Sequence, residues 1–219
     1  KALRRHAISA IDEILHMRSA PYIEQISRFL RIQISSAIDQ IRSERVESGA
    51  TVWKLYDHGW IVKTQNHCWG HDICRGYGSV QMTAEQIDDV IGEIEALFIS
   101  HWHRDHADII VLRAALANGI NVYTAPPMAE VRIPDDIASH EYMHILSIDE
   151  WALPGPTGTT PRGIEWRALP GHQDYRPNAM FLVSADEFTV LQSGDQYNLD
   201  DREWIDRLGD DYRVDLLLT

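Results

Sequence analysis

A chain of 219 residues with 44% hydrophobic content is long and apolar enough for one domain with a sizeable core, which excludes a disordered chain. Its formal net charge of −13 argues against a nucleic-acid partner, because neutralising phosphates needs a Lys/Arg surface. Two cysteines, Cys68 and Cys74, make no disulfide framework, and no stretch reaches the roughly 20 apolar residues of a membrane span.

Residues 2–17 carry Leu3, Ala7, Ile8, Ile11, Ile14 and Leu15 at helical spacing. Residues 22–46 repeat the pattern with Ile23, Ile26, Leu30, Ile34, Ile38 and Ile41, and Pro21 stands where a helix would start. The spacing predicts an N-terminal helical hairpin, residues 1–48, ahead of a second unit, residues 49–219. The hairpin is expected to pack on that unit, with homodimer formation through its helices or a lid as the alternatives.

From residue 51 the texture changes. Thr51–Gln65 is rich in Val, Trp, Tyr and Ile around Gly59 and reads as a strand hairpin. Trp69–Cys74 suggests a further short strand. Thr83-Ala-Glu-Gln86 is a capping box opening a helix through about Glu95. Leu97–Ser100 reads as a buried strand, 108–118 as a helix closed by Gly119, and 120–124 as a strand. Residues 134–150 look partly helical, and 153–163, with three Pro and three Gly, read as a loop. Strands are expected at 164–169, 179–184 and 188–193, with Asp186-Glu187 as the turn between the last two. A short helix at 200–208 and a strand at 213–218 complete an α/β or mixed body. Cys68 and Cys74 read as buried thiols, with a bridge the alternative in an oxidising compartment.

The loop after Leu97–Ser100 reads His101-Trp102-His103-Arg104-Asp105-His106-Ala107-Asp108. Three of the eleven histidines fall within six positions, with a carboxylate between them. Neutral imidazole nitrogen and carboxylate oxygen both bind zinc at about 2.0–2.2 Å, so this cluster has the chemistry of a metal site. Alternation along an extended segment turns His101 and His103 to one side, and Trp102 to the other, into the core. Asp105 and His106 begin the next turn and can face a second ion.

His101-x-His103-x-Asp105-His106 resembles the hallmark of the metallo-β-lactamase superfamily. Gly171-His172, after the strand at 164–169, resembles that family's next histidine ligand, and Ser193-Gly194-Asp195 its bridging aspartate. The resemblance covers roughly residues 51–219 and implies an αβ/βα sandwich with metals at one edge, to which the N-terminal hairpin is an addition. It implies that His101, His103 and His172 hold a first ion, that Asp105 and His106 hold a second, and that Asp195 bridges them. Asp72 matches a partner carboxylate behind the ligands, and His67 and His71 are read as non-ligands. The family's last histidine follows the strand that here ends near Thr219, so the 49–219 unit is expected to be incomplete at its C-terminal end.

The function so implied is that of a hydrolase in which a metal-activated hydroxide attacks a small-molecule ester, lactone, amide or similar bond. Zn²⁺ is the expected cofactor, as one or two ions, with iron or manganese also accommodated by such ligands. Asp105 is placed to orient the nucleophile or move its proton, and Arg176 to meet a substrate carboxylate or phosphate. The alternatives are an iron-containing oxygenase or redox enzyme, a phosphodiesterase or nuclease, and a non-catalytic domain with a degenerate site. The expected partner is a small molecule and neither nucleic acid nor membrane, in a cytoplasmic setting.

Overall fold

A computed structural model describes residues 23–76, 81–128, 130–147, 155–173, 176–196 and 208–219. The predicted helix at 2–17, Pro21 and most of the predicted helix at 200–208 lie outside the described residues. The second predicted helix is α1, Glu24–Ser43, which starts after Ile23 with no side-chain cap. Its Ile34, Ile38 and Ile41 are buried, one face at i, i+4 and i+7. Arg42 ties it to Asp89 and Glu93 of α2, Ala84–Glu93. The capping box that opens α2 forms as expected: Gln86 N–H donates to Thr83 Oγ1, and Thr83 N–H donates to Gln86 Oε1, each at 3.1 Å.

Two sheets follow. The first has six strands in sequence order: β1 (Thr51–Lys54), β2 (Trp60–Lys63), β3 (Cys68–His71), β4 (Ala96–Ile99), β5 (Asn121–Thr124) and β6 (Met143–Ile145). β1, β2 and β3 pair antiparallel; β3 to β6 pair parallel, with α2 and then α3, Ile109–Ala117, as crossovers. The short helix α4, Asp135–Ala138, precedes β6. The second sheet holds five strands in the order β11-β10-β9-β8-β7: β7 (Thr157–Thr159), β8 (Glu165–Gln173), β9 (Arg176–Ala185), β10 (Phe188–Gln192) and β11 (Leu216–Leu218).

Alternation along the strands builds the layers. Ile61, Leu97, Ile99 and Val122 face α1, α2 and α3, while Val62, Trp69, Phe98 and Tyr123 face the second sheet and meet Trp166, Phe181, Val183 and Val190. On the far face of the second sheet, Leu169, Met180, Leu182 and Leu191 pack with Leu208. The mixed α/β sandwich expected from the sequence is the one observed.

Residues 134–150 are partly helical as expected, through α4, and β6 follows, its Met143 and Ile145 flanking half-exposed His144. Two local expectations are corrected. The 153–163 loop contains β7, a three-residue edge strand whose Gly158 lies against the Trp166 ring, where a Cβ would come within 2.9 Å. Strands β8 and β9 run on past their predicted limits and pair as far as Gln173↔Arg176. Pro170, Gly171 and Pro177 disguise that extension, because these residues weigh against strand in isolation. The Asp186-Glu187 turn forms as expected, with φ of 48° and 63° at the two positions.

Candidate metal centre

The centre lies where both sheets end. β3 stops at His71, and the next residue, Asp72, turns back with φ 45° and is fully buried. β4 stops at Ile99, and Ser100 receives the Asp72 carboxylate: its N–H donates to Oδ1 and its hydroxyl to Oδ2, both at 2.7 Å. The loop then closes on itself, with His106 N–H donating to His103 O at 3.0 Å. It hands over to α3 at Asp108, which caps Ile110 N–H at 2.9 Å. From the second sheet, Ala179 N–H donates to Ser100 O at 2.7 Å and locks the two edges together.

Within this frame the loop histidines converge. His101 Nε2 and His103 Nδ1 are 2.9 Å apart. Asp195 Oδ2 is 3.9 Å from His101 Nε2, and its Oδ1 is 3.4 Å from His106 Nε2. Asp105 Oδ2 is 4.0 Å from His106 Nε2. His101 and His106 of the loop thus share one small volume with Asp195, far along the chain, with His103 beside His101 and Asp105 beside His106. His172 lies on β8 with its backbone opposite Pro177; its side chain lies outside the described residues.

The outward nitrogens are already engaged. His101 Nδ1 lies 3.0 Å from Ser100 Oγ, and His106 Nδ1 lies 2.8 Å from Asp72 Oδ2. With the Ser100 hydroxyl hydrogen committed to Asp72, both rings donate through Nδ1–H and turn Nε2 inward. His106 Nε2 is buried and has no aligned hydrogen-bond partner. A buried polar nitrogen of that kind is costly unless something is bound there. The donor set, imidazole nitrogens with carboxylates, suits a zinc or iron ion.

The electrostatics separate the histidines. Burial, with His106 as a nearby positive charge, pushes His101 down to about 4. Burial and Arg176 lower His103. Both are therefore neutral near pH 7, as ligation requires. Burial opposes charge on His106 too, but Asp72, Asp195 and Asp105 overcome it and raise that imidazole to about 10. The His106 imidazole, 3.4 Å away, outweighs burial at Asp195 and draws its carboxyl down to about 2.

Several participants carried no sequence signal. Gln192 of β10 donates through Nε2 to Asp72 Oδ2 across the gap between sheets. Gln173 Nε2 donates to Asp195 Oδ2 at 2.8 Å, and Asn178 Oδ1 accepts from Asp195 N–H at 3.2 Å. His58, in the β1–β2 turn, stacks on His106 with ring centroids 4.2 Å apart. The expected non-ligands are occupied elsewhere: His67 Nδ1 lies 2.8 Å from Glu95, and His71 accepts from Trp69 Nε1 at 2.9 Å. Trp102 is buried and donates to Ala125 O at 2.9 Å, so it packs in the core as expected. Cys68 and Cys74 are both free thiols, Cys74 buried and Cys68 partly so.

A two-sheet sandwich with a His-x-His-x-Asp-His loop between β4 and α3, and an aspartate at the edge after β10, decides the fold. The chain has the metallo-β-lactamase fold. The chain is similar to several solved structures. The diiron β-hydroxylase CmlA from Streptomyces venezuelae matches at 16% identity and TM-score 0.52, over 80% of this chain and 35% of that one. This chain thus spans about a third of the hydroxylase's length. A proposed metal-dependent hydrolase from Parabacteroides distasonis matches at 14% identity and TM-score 0.50, over 80% of this chain and 71% of that one. The metallo-β-lactamase fold protein YhfI from Bacillus subtilis matches at 14% identity and TM-score 0.46, over 79% and 66% of the two chains. No protein-family model and no curated protein matches the sequence. Among the described helices, none is long and apolar enough to cross a membrane.

Proposed function

We propose that the chain is a metal-dependent hydrolase, using zinc as one or two ions, that cleaves an ester, lactone, amide or similar bond in a small molecule. The observation that carries this reading is the convergence of His101 Nε2, His106 Nε2 and an Asp195 carboxylate oxygen within 4.8 Å of one another at the sheet edge, with His103 Nδ1 2.9 Å from His101 Nε2. His101, His103 and His172 would hold the first ion, Asp105 and His106 the second, with Asp195 between them. An ion held there supplies Lewis acidity, which acidifies water and polarises a carbonyl oxygen. Asp105, partly exposed like Asp195, takes the role of orienting the attacking water and accepting its proton. Asp72 fixes the His106 ring from behind, and Ser100 does the same for His101. Arg176, whose Nη1 lies 2.8 Å from His103 Nε2, is placed to receive a carboxylate or phosphate on the substrate.

The net charge of −13 disfavours phosphodiester polymers as substrates. The same mixed His/carboxylate set accepts iron, which supports oxygenase or redox chemistry as the second reading. Metal quantification on protein purified without added metal separates the two, followed by lactone, thioester, ester, β-lactam and phosphodiester substrates. Zinc with turnover of one of the acyl substrates is expected. Iron with no hydrolysis of any of them refutes the hydrolase reading in favour of the second.

A further inference from the structure

The turn between β1 and β2 delivers one more imidazole to the metal centre. Leu55 N–H donates to Gly59 O at 2.8 Å and Gly59 N–H to Tyr56 O at 3.1 Å, closing a tight tip. That tip sits directly on the chain that leaves β3: a Cβ at Gly59 would lie 3.5 Å from Ile73 Cα and 3.6 Å from Asp72 O. His58 is thereby held over the same Asp72 region that positions His106. Its Nε2 is 4.0 Å from Asp105 Oδ2, and its Nδ1 is 4.0 Å from Asp195 Oδ1. One ligand atom from each of His58, Asp105 and His106 falls within 4.8 Å of the others.

We propose that His58 is a protein ligand of the second ion, completing a three-residue set with Asp105 and His106; this rests on the metal-centre reading above. Ligand atoms about 2.1 Å from a tetrahedral ion lie about 3.4 Å from one another. The observed separations of 3.4 Å for His106 Nε2 to Asp195 and 4.0 Å for His106 Nε2 to Asp105 and for His58 Nε2 to Asp105 are close to that spacing. Without His58, the assignment leaves that ion only Asp105, His106 and the shared Asp195 from the protein. The second independent mark is the buried His106 Nε2, which has no aligned partner and faces this volume. Ligation requires one movement. The His58 and His106 rings are stacked at an interplanar angle of 20°, so His58 must turn about its side-chain bonds to aim a lone pair at the shared ion. The His58 side chain is 36% exposed on a hairpin tip, while His106 is pinned by Asp72.

The test is a titration with Zn²⁺, and in parallel with Co²⁺, of the wild-type chain, His58→Ala and His58→Cys. Binding is followed calorimetrically and through the cobalt absorption. Two ions are expected in the wild type. His58→Ala is expected to keep the first at unchanged affinity and to weaken the second on the order of 100-fold, at least as much as losing an outer-shell partner does. His58→Cys is expected to add a thiolate-to-cobalt charge-transfer band that the wild type lacks, a signature a merely structural role would not produce. A second ion bound by His58→Ala at wild-type affinity, or no new band in His58→Cys, overturns the proposal. A wild type that binds a single ion also overturns it while leaving the metal centre standing; a wild type that binds none refutes the metal-centre reading as well.

Discussion

His106 donates through Nδ1 to the Asp72 carboxylate at 2.8 Å, and both side chains are completely buried. Asp72 also accepts from Ser100 N–H, Ser100 Oγ–H and Gln192 Nε2, so one carboxylate at the end of β3 gathers the end of β4, the motif loop and β10. Hydrogen bonds and the His106 charge outweigh burial and hold it below the usual carboxylate range. Asp72→Asn keeps the shape but removes the charge that orients the imidazole. It is expected to weaken metal binding about 10–100-fold, measured by competition with a chelating dye. Unchanged affinity would show that ring orientation does not depend on this carboxylate.

His103 reaches the centre from the most exposed part of the loop, with Nδ1 toward His101 and Nε2 toward Arg176. His103→Ala is expected to abolish binding of the first ion and to lower turnover by about 100-fold or more. Metal content by mass spectrometry checks it, and an undiminished ion count would refute the ligand assignment.

Gly194 places Asp195. It has φ +54°, and a Cβ there would fall 2.3 Å from Asn178 Oδ1 and 2.6 Å from Ser100 Cβ. Both neighbours belong to the frame of the centre, so neither can move without cost. Gly194→Ala is expected to lower stability by about 1–3 kcal/mol and to weaken metal binding with it. Denaturant unfolding and metal titration on one sample check both effects; wild-type values in each would show that the turn relaxes freely.

Asp186 clasps the two sheets. It accepts from Thr64 Oγ1 at 2.8 Å, Asn66 N–H at 2.7 Å and Asn66 Nδ2 at 2.8 Å. Burial is the largest single influence and opposes the charge, but these donors together outweigh it and hold its carboxyl below the usual range. Because the folded-state value is depressed, the stabilisation is complete above the unfolded value of about 3.9 and is lost as pH falls through the folded one. Asp186→Asn tolerates the φ of 48° and removes only the charge. Its melting temperature is expected to lie about 2–4 °C below wild type at pH 7, matching a screened contribution of about 1 kcal/mol. The gap is expected to close below about pH 4. A gap independent of pH would assign the effect to shape rather than charge.

The sequence by itself determined what is local. The spacing of Ile34, Ile38 and Ile41 set the buried face of α1, the Thr83/Gln86 pair opened α2, and the Asp186-Glu187 turn joined two strands. The four motif residues, His101 to His106, stand close in sequence, so that one loop would bring them near one another was legible from spacing alone. Edge strands β6 and β7 were not legible, because three-residue strands draw their stability from a neighbour rather than from their own pattern. Only the tertiary structure decided what meets the motif from afar. Gln192 arrives on Asp72 from the opposite sheet, and Asn178 and Gln173 hold Asp195. His58 comes to His106 from a hairpin tip 48 positions earlier in the chain. These residue types have no distinctive spacing, and their roles follow from which sheet edges the packing of Phe98 on Phe181 brings together.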